Sequence, residues 1–371
     1  MGLASKIVEK ARSWLTPERR PQQVQIDLRP QRDKQAPTQL GAEAEAFLPD
    51  LTKSPIRPVA QRQNPPLERN KCLDKRPKVS VVLGTLNRRK LLEKCIASVR
   101  KELEDIHGEI IVIDGGSEDR TPAWLVKQQD IITILQHNRY KQDRASMRRR
   151  SWGGFMNMGF RAASADYVLM ISDDCLLLPG AITKGIERIQ AARAAGVPVG
   201  ACAFYFRNWP KEKRYYVQRT IGGNLMLNHG IYTREALEAA SFANEDDYVF
   251  YKSDTDLSLK IWKSGRAIID SPESICEHYV GIEEELRAGN TALMEYDRAQ
   301  MRQFWPDLVT QEGVSRMGKI YLDQLPDSAA DQAWGRLYRQ EERAVNLKNS
   351  KPTGQKPASE RENTSPKPSV D

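Results

Sequence analysis

The sequence has no apolar run approaching the ~18 residues that a membrane-spanning helix requires, which argues against a helical integral membrane protein. It has no Cys-x-x-Cys pair: its five cysteines (Cys72, Cys95, Cys175, Cys202 and Cys276) are scattered. That spacing argues against a zinc knuckle and a disulfide framework, and the cysteines read as reduced, mostly buried thiols. There is no internal repeat. A signal-peptide core is also missing, because Lys6, Glu9, Lys10 and Arg12 interrupt the first residues, so the chain is expected to remain in the cytoplasm.

Excess charge is missing from the body of the chain. The net charge is +8, but residues 1–77 carry 15 Lys and Arg against 9 Asp and Glu, and residues 341–371 carry 6 against 5. The segment between is left at +1, so the basicity belongs to an arm and a nucleic-acid partner is not expected.

Large apolar residues are scarce over 18–77, where Pro, Gln and Arg dominate without a sustained period, and again from Lys348 onward. Both segments read as extended, disordered arms. Residues 1–17 differ. Leu3, Ile7, Val8, Ala11, Trp14 and Leu15 fall on one helical face with Lys6, Lys10 and Arg12 off it. This predicts an amphipathic helix that docks on the body or a partner, or makes a peripheral contact with the inner face of the membrane.

What is present begins at Lys78. Short apolar runs (Val79 to Leu83, Glu109 to Ile113, Ile131 to Leu135, Tyr167 to Ile171, Val199 to Phe206) alternate with helical periods such as Leu91, Leu92, Cys95, Ile96, Val99 and Leu103. The alternation predicts an α/β sheet in one principal domain of about 260 residues. Ala181 to Ala195 and Asp254 to Ser264 are further predicted helices, and Ser274 to Tyr279 is a weak strand.

In such a sheet ligands sit beyond the carboxyl ends of the parallel strands. The residues that follow the runs there are polar: Thr85, Asn87 and Arg88; Asp114 to Asp119; then Ser172, Asp173 and Asp174. Adjacent carboxylates leaving a buried strand raise one another's pKa unless something positive compensates them. Mg²⁺ or Mn²⁺, completed by phosphate oxygens, is the simplest compensation; a helix cap formed by Asp174 is the alternative.

Five stretches occur in one order: KVSVVLGTLNRRKLLEKCIASV, EIIVIDGGSEDRT, NMGFRAASADYVLMISDD, GGNLML and SDTDLSLKIWKSG, beginning at Lys78, Glu109, Asn157, Gly222 and Ser253. That order resembles glycosyltransferase family 2. The resemblance implies an inverting enzyme with a GT-A type, Rossmann-like mixed sheet sandwiched by helices over residues 78–340. The donor half would cover about 78–180, the acceptor half about 181–280 and a helical segment 281–340, ahead of a disordered tail at 341–371. It implies a nucleotide-diphosphate sugar donor, a carbohydrate or glycolipid acceptor, and a role in bacterial polysaccharide or glycolipid assembly.

Residue by residue, the resemblance makes Thr85, Asn87 and Arg88 the first donor loop and sets Asp114 beside the base and Asp173 beside the ribose. Asp174 becomes the metal ligand, with His278 completing the site, and Asp254 the catalytic base. Ser172 and Ser253 stand where the family commonly has acids. Arg150, in the basic connection between Asn138 and Trp152, is a candidate for the donor diphosphate. Gly223, Asn224, Trp209 and Asp256 are candidates for the acceptor side, Trp209 because an aromatic ring can stack on a sugar. A non-catalytic donor-binding module is the rival reading. A processive synthase is disfavoured because Gln300 to Trp305 reads QMRQFW.

Overall fold

The computed structural model describes residues 76–349 except 138, 142–146, 282–290 and 325. The predicted helix at 1–17, nearly all of the arm at 18–77, Arg144 and the end of the tail lie outside the described residues.

β1 (Val79–Thr85), α1 (Arg89–Glu102) and β2 (Gly108–Asp114) form the first parallel crossover, with Thr85 in register with Asp114. The helix α2 (Thr121–Leu125) leads to β3 (Ile131–Leu135), parallel to β2. A two-stranded ribbon of β4 (Arg139–Lys141) and β5 (Met147–Arg149) precedes α3 (Trp152–Ala162). β6 (Tyr167–Met170) then returns to pair with β1 in parallel.

These strands alternate sides as a two-residue period demands. Val79, Val81, Leu83, Ile110 and Val112 face one core; Val82, Ile111, Ile113, Val168 and Met170 face the other. Each fully buried branched side chain contributes roughly 1.5–3 kcal/mol by leaving water. Gly159 lets α3 lie close on the sheet, because a Cβ there would stand 2.5 Å from Val82 and 2.6 Å from Ile113.

The second half extends the same sheet in mixed directions. A short β7 (Cys175–Leu177) leads into α4 (Ala181–Ala194), β8 (Val199–Trp209), β9 (Tyr216–Arg219), β10 (Leu225–Met226) and β11 (Gly230–Thr233). β11 runs antiparallel to both β6 and β8. Gly230 has φ +144° and presses on the Cys202 carbonyl, so no side chain fits there.

After α5 (Arg234–Ala239) and α6 (Ser253–Lys263), the 13-residue β12 (Ala267–Tyr279) pairs parallel with β8 and antiparallel with β7. The helices α7 (Thr291–Phe304) and α8 (Gln311–Ser315), β13 (Gly318–Tyr321) and α9 (Ala330–Asn349) complete the described chain. α1 and α4 cover one face of the sheet, and α3, α5 and α6 cover the other. This is the helix-sandwiched mixed sheet expected from sequence.

One boundary differs. α9 continues nine residues beyond the expected limit of 340, because its apolar side keeps a partner: Trp334, Leu337 and Tyr338 pack with Trp209 and Tyr279, and Tyr279 Oη donates to Glu341 at 2.8 Å.

Candidate active site

Strand ends gather the residues that the resemblance sets on the donor side. Thr85 ends β1, and its Oγ1 donates to Asp173 Oδ2 at 2.7 Å. Asn87, in a left-handed conformation (φ 55°), staples two loops: its amide donates to Ser117 Oγ and its Oδ1 accepts from the Glu118 amide. Asp114 is buried at the end of β2. Its Oδ1 accepts from the amides of Gly116 and Ser117, while Oδ2 is buried with no hydrogen-bond partner.

Asp173 and Asp174 occupy the turn between β6 and β7. The alternative helix-cap role is not what Asp174 performs, since β7 intervenes and α4 starts after Gly180. The half-exposed Arg88 bridges the pair, with Nη1 3.1 Å from Asp173 Oδ1 and 2.6 Å from Asp174 Oδ2. The positive charge that an acid pair demands is thus partly supplied by the protein, an alternative to metal that the sequence did not reveal.

The two acids part company electrostatically. Burial pushes Asp173 up to about 6, with Arg88 pulling against it and Asp174 adding to it. Burial pushes Asp174 up as well, but His278, Arg88 and His229 outweigh that and hold it well below the usual carboxylate range. The backbone ties Asp174 to β12, because the Tyr279 amide donates to its carbonyl at 2.8 Å.

His278 Nε2 lies 3.4 Å from Asp174 Oδ1, longer than a normal charge-assisted hydrogen bond, and that buried oxygen has no hydrogen-bond partner. His229, which sequence reasoning missed, is buried beside them. Its ring centroid is 5.5 Å from that of His278 and 5.1 Å from that of Phe206, and burial drives its pKa down to about 3. Among the described residues no group of three His, Cys, Asp or Glu side chains forms a metal cage.

Asp254 lies in the first turn of α6, one residue inside its start. Its Oδ1 accepts from the Thr255 amide at 2.7 Å, and Oδ2 receives a long 3.4 Å contact from Asn228 Nδ2. Burial raises its pKa, so the ionised form is a stronger base than a surface carboxylate. Asn228 and His229 are neighbours in sequence, so one dipeptide touches Asp254 on one side and His278 on the other.

The remaining candidates scatter. Asp256 turns towards α7 and the chain after it, accepting from Trp305 Nε1 at 2.9 Å and Tyr248 Oη at 3.3 Å. Gly223 and Asn224 sit in the turn before β10, with Gly223 against Arg316. Trp209 is buried rather than open to a sugar: it stacks on Tyr279, meets Trp334 and Tyr338, and donates from Nε1 to Asp331 at 3.2 Å. Its apolar area is consumed by the packing of α9. Arg150 Nε donates to the His137 carbonyl at 3.1 Å, near β3.

Fold and site together define a Rossmann-like α/β domain with an acid–imidazole pair at the carboxyl edge of its sheet. Residues 80–243, a little under half of the chain, match the model of glycosyl transferase family 2. The chain is 30% identical over 181 residues to the GalNAc(5)-diNAcBac-PP-undecaprenol beta-1,3-glucosyltransferase of Campylobacter jejuni, covering 48% of this chain and 52% of that protein. It is 30% identical over 131 residues to the succinoglycan biosynthesis protein ExoO of Rhizobium meliloti, covering 35% of this chain and 34% of that one. The chain thus spans about half the length of the first relative and about a third of the second. Among solved structures, the mannosyltransferase PcManGT from Pyrobaculum calidifontis, in complex with GDP-Man and Mn2+, aligns with a TM-score of 0.46 at 17% identity, over 76% of this chain and 78% of that one.

Proposed function

We propose that the chain transfers a sugar from a nucleotide-diphosphate sugar to an acceptor hydroxyl by a single inverting displacement, in the assembly of a bacterial polysaccharide or glycolipid. The observation that carries this reading is the union, within a chain that matches glycosyltransferase family 2, of a pKa-raised carboxylate at Asp254 with the Asp174 and His278 pair across Asn228 and His229.

The residues fit a divalent cation. An orphaned buried carboxylate oxygen faces an imidazole nitrogen at 3.4 Å, and oxygen and nitrogen donors suit Mn²⁺ or, less well, Mg²⁺. Only two protein ligands leave coordination positions for phosphate oxygens. Bound there, the ion would neutralise the charge that develops on a departing nucleoside diphosphate.

The chain's own groups do the rest. Asp254 takes the proton of the acceptor hydroxyl as that oxygen attacks the anomeric carbon. Thr85 and Arg88 orient Asp173 towards the ribose, and the unpaired Asp114 Oδ2 is an acceptor for a base N–H. Arg150 supplies charge for the diphosphate. The acceptor is a lipid-linked or free saccharide, a choice favoured by the undecaprenol-linked substrate in the name of the Campylobacter jejuni relative. No helix among the described residues is long and apolar enough to cross a membrane. Residues 1–17, amphipathic by sequence, are the candidate for a peripheral contact with a lipid acceptor.

The test is thermal stability against a panel of UDP- and GDP-sugars with and without Mn²⁺. A donor at 100 times its dissociation constant adds about 2.7 kcal/mol to stability. If no nucleotide sugar stabilises the protein with Mn²⁺, the proposal fails. If a donor binds but is never turned over, the non-catalytic module replaces it.

A further inference from the structure

Next to the acid–imidazole pair runs a polar relay that the proposed reaction does not by itself require. His278 and Asn208 are register partners on the parallel strands β12 and β8, so their side chains leave the same face of the sheet. His278 Nδ1 is 2.8 Å from Asn208 Oδ1.

The orientation of the Asn208 amide follows from its other contacts. Asn208 Nδ2 lies 2.7 Å from Glu212 Oε2 and 2.9 Å from Tyr216 Oη. Glu212 is a carboxylate: Lys319 Nζ donates to its Oε1 at 2.6 Å, and this bond, with that from Tyr216, outweighs burial and lowers its pKa. A carboxylate accepts and cannot donate, so the NH₂ of Asn208 must face Glu212 and its oxygen must face the imidazole. His278 Nδ1 must then carry the hydrogen. In the neutral ring Nε2 is left bare, and it is Nε2 that faces Asp174.

We infer that Asn208 is a positioning residue: held by Glu212, Lys319 and Tyr216, it fixes His278 in the Nδ1–H tautomer, so that Nε2 presents its lone pair to a divalent cation shared with Asp174. Ligating imidazoles are commonly oriented by a hydrogen bond from the other ring nitrogen, and loss of such a partner typically costs about 10–100-fold in metal affinity. Free imidazole in water favours the opposite tautomer, so the relay works against the ring's own preference. It also makes β13, the carrier of Lys319, part of the apparatus that presents the metal ligand. The inference rests on the metal reading above.

The experiment has two readouts. The sequence holds only four histidines (His107, His137, His229 and His278), so nitrogen-15 histidine NMR on the metal-free protein can report the His278 tautomer directly, with His278→Gln identifying its signals. In the neutral ring the native protein should show hydrogen on Nδ1 and none on Nε2, and Asn208→Ala should shift the population to Nε2–H. Mn²⁺ affinity measured by electron paramagnetic resonance, in the presence of UDP or GDP, should weaken about 10–100-fold in Asn208→Ala. Glu212→Gln, a change at the end of the relay, frees the amide to flip and should move both readouts the same way by less. It carries the test if Asn208→Ala does not fold.

An Nε2–H tautomer in the native protein, or native Mn²⁺ affinity in a folded Asn208→Ala protein, overturns the inference alone. If the native protein binds no Mn²⁺ with either nucleotide, the metal reading falls and the inference falls with it.

Discussion

Two groups of carboxylates, one on each side of Asn228 and His229, are neutralised in opposite ways. Asp173 and Asp174 face cationic or cation-binding partners, Arg88 and His278, and sit on the turn of a central strand. Asp254 and Asp256 lie in the first turn of α6 and take hydrogen bonds from neutral donors, the Thr255 amide and Asn228 for one, Trp305 and Tyr248 for the other. Asp297 accepts from the amides of Val249, Phe250 and Tyr251 at 2.6–3.0 Å. A charge-paired carboxylate is a poor base and a good anchor for positive charge. One held by neutral donors and pushed up by burial, as Asp254 and Asp256 are, keeps its affinity for a proton. In the proposed reaction the first group anchors positive charge and Asp254, in the second, takes the proton.

The contrast is open to direct attack. The largest effect should come from Asp254→Asn, with kcat falling about 10²–10⁴-fold while donor affinity by thermal shift stays at the native level. Unchanged turnover would take the base role away from this carboxylate. Next, Asp174→Asn should abolish the Mn²⁺-dependent part of UDP or GDP binding, a loss at least as large as the ~10–100-fold of outer-shell changes. Equal Mn²⁺ dependence in the variant would show that the anchor lies elsewhere.

Asp297→Ala leaves three backbone amides without their carboxylate and should cost about 3 kcal/mol in denaturant unfolding, with a fall in kcat because the loop entering α6 loosens. Native stability in that variant would mean that water replaces the carboxylate. The smallest effect concerns pH. Burial raises Asp256, so the folded state keeps that proton to higher pH than the unfolded chain, and stability from this group falls as pH climbs through and above the unfolded value near 3.9. Asp256→Asn should therefore raise the melting temperature relative to native more at about pH 8 than at about pH 4. Asp174, held low, runs the other way: its contribution is present above the unfolded value and is lost as pH falls.

The first half of the sheet, from β1 to β6, was almost fully legible because its signals are local. Val79 to Leu83, Glu109 to Ile113 and Tyr167 to Ile171 are β-branched or apolar runs that end in polar residues, and each became a strand with those residues at its carboxyl edge. Arg88, Asp173 and Asp174 were consequently named before their contacts were visible. The second half hid what depends on register. Nothing near Asn208 says that β8 will lie beside β12, so its bond to His278 could not be foreseen. His229 carries no local signal beyond being one of four histidines. Trp209 looked like a sugar platform because its sequence neighbours are aromatic, whereas its true neighbours, Tyr279, Trp334 and Tyr338, arrive 70 or more residues later.

The pairing of β7 with β12 also fixes when the site can exist. During synthesis the segment from β1 to β7 that carries Arg88, Asp173 and Asp174 emerges first. His278 reaches Asp174 only after about a hundred further residues have been made, and the aromatic contacts of α9 that pack on Tyr279 come later still. Until then the chain holds Arg88, and not His278, as a partner for the acid pair. A chain ended at the limit of the family match, residue 243, would carry Arg88, Asp173 and Asp174 and lack both Asp254 and His278.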